Sequence, residues 1–175
     1  MTLPRLVLLN GAPGAGKSTV ARRWADDHPL SLVLDIDTVR SLLGGWAADR
    51  TAAGLVARDL AVAMALTHLR AGCDVVVPQH LGRAEFIERL AETAREAGAR
   101  FLEVVLDVDQ DIGRQRFTAR GHGVETAGAT EAFDHLYARL VTLLAGRPDA
   151  VRVSSVNGDL DATFRAFADA VDNYG

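Results

Sequence analysis

Short apolar runs alternate with segments of helical periodicity along the whole chain. Residues 6–10 form a continuous apolar run that enters a glycine-rich turn, and 17–27 carry the helical spacing that follows it. The His28-Pro29 pair ends that helix, because proline pushes the residue before it out of helical geometry. Residues 30–36 read as a second strand, which closes on Asp35-Ile36-Asp37. A short helix over 39–43 stops at Gly44-Gly45, and a long helix over 52–70 is closed by Ala71-Gly72. The third strand, 74–77, is stopped by Pro78, and an amphipathic helix over 83–97 ends at Gly98. A fourth strand covers 101–106 and a helix 110–120, while residues 121–130 are polar, rich in glycine, and read as a loop. Helix 131–145, strand 151–156 and helix 160–171 complete the pattern. Five short apolar strands separated by helices predict an α/β fold with a parallel sheet covered on both faces, in one domain over 1–175.

Composition fits that picture. A chain of 175 residues that is 49% hydrophobic and 24% charged can bury a sizeable core. No apolar run approaches the roughly 18 residues a membrane span requires. The N-terminal apolar run reads as a first strand, not a secretion signal, so a cytoplasmic protein with no membrane partner is expected. One cysteine, Cys73, excludes an internal disulfide framework and a cysteine-based zinc site. His28, His68, His122 and His135 have no ligand-like spacing. A net charge of −4 argues against a nucleic-acid surface, which needs clustered basic residues.

The basic residues carry one further signal. Of 19 lysines and arginines, a single one is lysine, Lys17, and it lies inside the glycine-rich turn. A slender point charge fits such a turn where a broad guanidinium does not. The turn, Gly11-Ala12-Pro13-Gly14-Ala15-Gly16-Lys17-Ser18-Thr19, fits the pattern G-x-x-x-x-G-K-[ST] and lies between a predicted strand and a predicted helix. In such a loop the backbone N–H groups turn inward around phosphate oxygens, and the next helix aims its positive end at them. Lys17 is then expected at the β- and γ-phosphates and the Ser18 hydroxyl on Mg²⁺, so the loop holds ATP or GTP. A guanine-reading Asn-Lys-x-Asp is impossible with Lys17 as the only lysine, which disfavours a GTPase switch.

With "LNGAPGAGKSTVARRWA" and "LDIDTVRSLL", the chain resembles the P-loop small-molecule kinases of the chloramphenicol phosphotransferase, gluconate kinase and polynucleotide kinase type. The third-strand ending "VVVPQHLGR" is similar to the tunicamycin-resistance type of P-loop protein. The resemblance implies a three-layer fold with strand order 2-3-1-4-5, an arginine-bearing lid at about 114–130 and an acceptor-binding segment at about 38–72. It further implies that an acidic residue after strand two takes the proton of the attacking hydroxyl or supports Mg²⁺. Asp37 is assigned the first role and Asp35 the second; two apart at a strand end, they are expected on one side. Asp37 could at the same time cap the short helix. Arg116 and Arg120, four apart on one helix face, correspond to arginines that clamp the transferring phosphoryl group. Arg114 lies off that face. The Asn157-Gly158 turn is where such folds contact adenine through backbone groups.

Many P-loop proteins end the third strand with an Mg²⁺-supporting Asp; here Gln79 is near that place, which leaves the metal to Ser18 with help from Asp35 or Asp37. Gln79 and His80 sit at the ligand edge of the sheet, within reach of an acceptor. Arg40, one turn after Asp37, and Trp46, after two glycines, are the remaining substrate candidates. The leading reading is therefore transfer of the γ-phosphate of ATP-Mg²⁺ to a hydroxylated small molecule. A nucleotide-dependent protein that sequesters a drug or metabolite, and a 5′-hydroxyl polynucleotide kinase, are the alternatives. Monomer and homodimer both stay open.

Overall fold

The computed structural model describes residues 3–119 and 126–173. Five strands form one all-parallel sheet: β1 (Arg5–Gly11), β2 (Leu32–Val33), β3 (Val75–Pro78), β4 (Arg100–Asp107) and β5 (Val151–Ser154). Their order is β2-β3-β1-β4-β5, with β1 in the centre between β3 and β4. The helices are α1 (Lys17–Asp27), α2 (Ile36–Ser41), α3 (Arg50–Arg70), α4 (Ala84–Glu96), α5 (Gln110–Ala119), α6 (Thr126–Ala145) and α7 (Leu160–Asp172). This is the α/β architecture and the strand order expected from the sequence.

Side-chain alternation along the central strands sorts the interior into two cores. Leu6, Leu8, Val75 and Val77 join one, with Leu69 and an alanine stripe of α3 and with Ile87 and Leu90 of α4. Val7, Leu9 and Val76 join the other, with Trp24 of α1, Phe133 and Leu140 of α6, and Phe164 and Phe167 of α7. The stripe (Ala53, Ala57, Ala61, Ala65) repeats every fourth residue, so one face of α3 is built of methyl groups that let the helix lie close to its neighbours. By length and composition α3 is, among the described residues, the one helix that could cross a membrane: 21 residues, mean hydropathy 1.3. Its apolar positions are interrupted by Arg58 and Asp59, so it holds no continuous apolar run of that length.

β3 runs through Pro78 itself, and three elements depart from the sequence reading by three residues or more. The second strand shrinks to Leu32–Val33: Leu30 turns left-handed at φ 68°, and Ser31 N–H bonds back to His28. Asp35, not Asp37, caps the short helix, its Oδ1 accepting from the N–H groups of Asp37 (2.9 Å) and Thr38 (3.2 Å). The helix therefore begins at Ile36, three residues early, and the two carboxylates do not share a strand face. Finally, α6 starts at Thr126, so the end of the expected loop 121–130 is helical, with Ala129 buried in it.

Phe133 links α5 and α6 to the sheet. It is fully buried, its ring centroid lies 5.9 Å from Phe117 and 5.8 Å from Tyr137, and a methyl group at Gly113 would stand 3.0 Å from its ring. Beside it Arg114 bridges Asp111 (2.6 Å) and Asp134 (2.7 Å), which makes Arg114 a tie between the two helices. Phe133→Ala is expected to destabilise the fold by about 3–5 kcal/mol through transfer and cavity terms, read as a lower denaturant midpoint at unchanged slope.

Candidate functional site

β1 delivers the glycine loop to the carboxyl edge of the sheet, where open α/β folds place ligands. The loop needs its glycines for two reasons. Gly11, Gly14 and Gly16 have φ of 144°, 83° and 92°, which side chains resist. A Cβ at Gly11 would also stand 2.6 Å from the Leu106 carbonyl oxygen of β4, and one at Gly14 2.6 Å from that of Gly113 in α5. Gly16 caps α1 without a side-chain acceptor, and the first turn of α1 holds no acid. The positive end of that helix is thus left to a ligand, which is what a phosphate oxygen requires.

Asn10, which the sequence reading quoted without a role, anchors the loop. It is fully buried; its Oδ1 accepts from Gly11 N–H (2.8 Å) and Leu81 N–H (3.0 Å), and its Nδ2 donates to the Leu81 carbonyl (3.2 Å). The segment after β3 is thereby fastened to the start of the loop. One further oxygen gathers the chemistry. The Gly11 carbonyl accepts from Lys17 Nζ at 2.9 Å and lies 3.2 Å from His80 Nδ1; Lys17 also donates to Ala12 at 2.9 Å. Because a carbonyl only accepts, Nδ1 carries the hydrogen and Nε2 keeps its lone pair. Burial, and then the charge of Lys17, hold the His80 imidazole down at about 4, with Arg139 adding to the effect against the opposing hydrogen bond. His80 is neutral at physiological pH.

On the α5 side, Arg116 donates to the Gly14 carbonyl (3.2 Å) and to Asn157 Oδ1 (2.8 Å), while Ser155 Oγ donates to Ala15 (3.0 Å). Gly14, Arg116 and Ser155, with Gly16, Asp159 and Thr163, bound a cavity of about 320 Å³ that opens on the loop. Arg116 and Asn157 therefore meet, and Arg116 reaches the backbone of the glycine loop. Arg120 lies outside the described residues.

On the α2 side, Asp37 is exposed and paired with Arg40 at 3.0 Å. Arg40 and Arg50 stack over the Trp46 ring at 5.3 and 5.4 Å, so the indole is covered by cations and does not wall an open pocket. Arg40 Nε and Gln79 Oε1 are buried with no hydrogen-bond partner. A buried amide oxygen without a donor beside the loop fits a site that a ligand or its water completes. Among the described residues no three His, Cys, Asp or Glu side chains cluster as a metal cage, so a cation here would depend on a nucleotide for most of its ligands.

Fold and loop define a P-loop, kinase-like protein. Residues 6–143 match the profile of a family described as an AAA domain, and the chain belongs to that family. None of the curated proteins matches it. Solved structures share the fold over nearly the whole chain. One is a protein from Chloroflexus aurantiacus provisionally named a kinase, 16% identical, covering 98% of both chains at a TM-score of 0.71. Another is the Mycobacterium tuberculosis APS kinase in complex with AMPPNP and APS, 22% identical over 98% of this chain and 99% of that one, TM-score 0.63. A gluconokinase from Sinorhizobium meliloti is 17% identical over 97% and 93%, TM-score 0.62.

Two measurements test the anchor and the imidazole. Asn10→Ala leaves two buried N–H groups and a carbonyl without partners, and is expected to cost at least about 3 kcal/mol in chemical denaturation. As pH falls from 6.5 towards about 4, the unfolded chain takes a proton that His80 in the folded chain refuses. Stability should therefore decline through that window relative to His80→Gln, by at most about 1.4 kcal/mol per pH unit, and the two curves should run parallel above it.

Proposed function

We propose that this protein is an ATP-dependent phosphotransferase that moves the γ-phosphate to a hydroxyl of a small molecule. The observation that carries the reading is the loop itself: a glycine cradle at the sheet edge, an uncapped helix start behind it, and the chain's only lysine folded over it. The APS kinase that shares the fold was solved with AMPPNP, a nucleotide of the same class.

In this account Lys17 leaves the Gly11 and Ala12 carbonyls, to which it donates, and places its charge at the β- and γ-phosphates. The N–H groups of Gly14, Gly16, Lys17 and Ser18 hold the remaining phosphate oxygens. Mg²⁺, brought with the nucleotide, would offset phosphate charge when bound. Ser18 and the Asp35 carboxylate, whose Oδ1 is fixed by the α2 cap, are the residues that would hold it. Asp37 accepts the proton of the attacking hydroxyl, oriented by Arg40. Arg116 sits beside Gly14 and offsets charge as it spreads over the transferred group, with Arg120 as its expected companion. The cavity between Arg116 and Thr163 takes the base and ribose of the nucleotide.

The test is transfer of label from γ-labelled ATP into a small-molecule extract. Wild-type protein should label a small molecule, while Asp37→Asn slows transfer about 10²-fold or more and Arg116→Ala by a similar factor. ATP binding without any transfer to any fraction would contradict the reading and leave a nucleotide-dependent binding protein.

A further inference from the structure

We infer that the acceptor is an anion, held by its oxyanion group in a second cavity on the far side of His80 from the phosphate loop. The inference deepens the phosphotransferase reading and rests on it for the word acceptor; the anion site stands on its own geometry. The cavity holds about 350 Å³, the size of a small metabolite, and is lined by Arg58, His80, Gly82, Arg83, Phe86 and Arg139, with Leu81, Glu85 and Leu136.

Three arginines from three separate elements converge there: Arg58 from α3, Arg83 at the start of α4 and Arg139 from α6. Several arginines elsewhere pair with carboxylates, as Arg5 does with Asp74, Arg89 with Asp59 and Arg147 with Glu88 and Glu103. Among the described residues, none of the three cavity arginines has such a partner within 4.0 Å, although Glu85 lines the same space. In a chain of net charge −4, this concentration of unpaired guanidinium is not a compositional accident.

Local packing presents these groups to the cavity. The Arg58 guanidinium lies 5.6 Å over the Phe86 ring, a contact that fixes it without satisfying its donors. Arg139 passes over Gly82, where a Cβ would stand 3.1 Å from the Arg139 Cβ and 3.4 Å from its Nε. A side chain at position 82 would push that arginine away. Arg83 stands at the N-terminus of the 13-residue α4, whose first turn carries Glu85, and both line the cavity.

His80 connects this cavity to the phosphate loop. Its Nδ1 is held by the Gly11 carbonyl at the loop while the residue also lines this cavity, and burial, then Lys17 and Arg139, disfavour its charged form. The ring separates two basic sites without adding a charge to either. A donor phosphate in the loop and an oxyanion among the arginines would thus lie on opposite sides of one neutral imidazole. Charge-assisted, bidentate hydrogen bonds to a phosphate, sulfate or carboxylate are what guanidinium groups in this arrangement supply. The substrate class is a small hydroxylated molecule that also carries such a group.

Inorganic sulfate serves as the probe, titrated by thermal shift into protein whose loop is already saturated with AMPPNP-Mg²⁺, and in parallel into a Lys17→Met variant. Both should show a sulfate-dependent rise in melting temperature, and adding Arg83→Gln with Arg139→Gln should weaken the apparent affinity about tenfold or more in each. Gly82→Leu, which displaces Arg139 without removing a charge, should weaken it too. Sulfate responses that do not change with the arginine pair in either background overturn the site. Failure of AMPPNP to bind counts against the phosphotransferase reading alone, since the Lys17→Met arm still decides on the anion. For the acceptor itself, the extract is split on an anion-exchange resin before labelling. Label in the retained fraction supports the inference, and label confined to the flow-through overturns it.

Discussion

The carbonyl oxygen of Gly11 is the point on which the functional edge of this protein turns. It ends the central strand, accepts from the only lysine, and lies against the ring of His80 from the neighbouring strand. None of this holds unless the chain leaves β1 at a fixed angle, and buried Asn10 sets that angle by bonding both the next residue and Leu81. An unpaired buried amide would be costly, so the three bonds of Asn10 commit the loop and the start of the α4 region to one relative position. The phosphate cradle and the arginine-lined cavity are therefore two faces of one rigid junction.

Electrostatics then divide that junction. Lys17 and the arginines of the second cavity are all positive, and they approach one another without a carboxylate between them. The intervening residue has to be neutral, and burial makes it so by holding the His80 imidazole near 4. A charged side chain at that position would either repel both sites or cancel one. Elsewhere an arginine such as Arg114 is neutralised at once, by Asp111 of its own helix and by Asp134 of α6.

Strands and helices were legible in the sequence because the central strands are buried on both sides and read as unbroken apolar runs, and because the glycine loop has a spacing tied to its mechanism. The boundary at β2 was not. Asp37 reads as a cap on paper, whereas Asp35 caps the helix in the structure. Asn10 gave no signal, since its partners lie 71 residues away. Arg83 and Arg139 were passed over for the same reason: on separate helices each looks like an ordinary solvated arginine, and only the fold brings them to one cavity. Trp46, by contrast, attracted attention as a pocket wall and proves to be covered by Arg40 and Arg50.

The central claim is that the loop after β1 is a nucleotide phosphate site whose lysine is the deciding group. It is tested most directly by calorimetric titration of AMPPNP in the presence of Mg²⁺ into the wild-type protein and into Lys17→Ala. The account predicts binding of one equivalent to the wild type and a loss of affinity of about tenfold or more in the variant, the cost of removing a charge-assisted contact to phosphate. No binding to the wild type, or equal binding to both proteins, would contradict it.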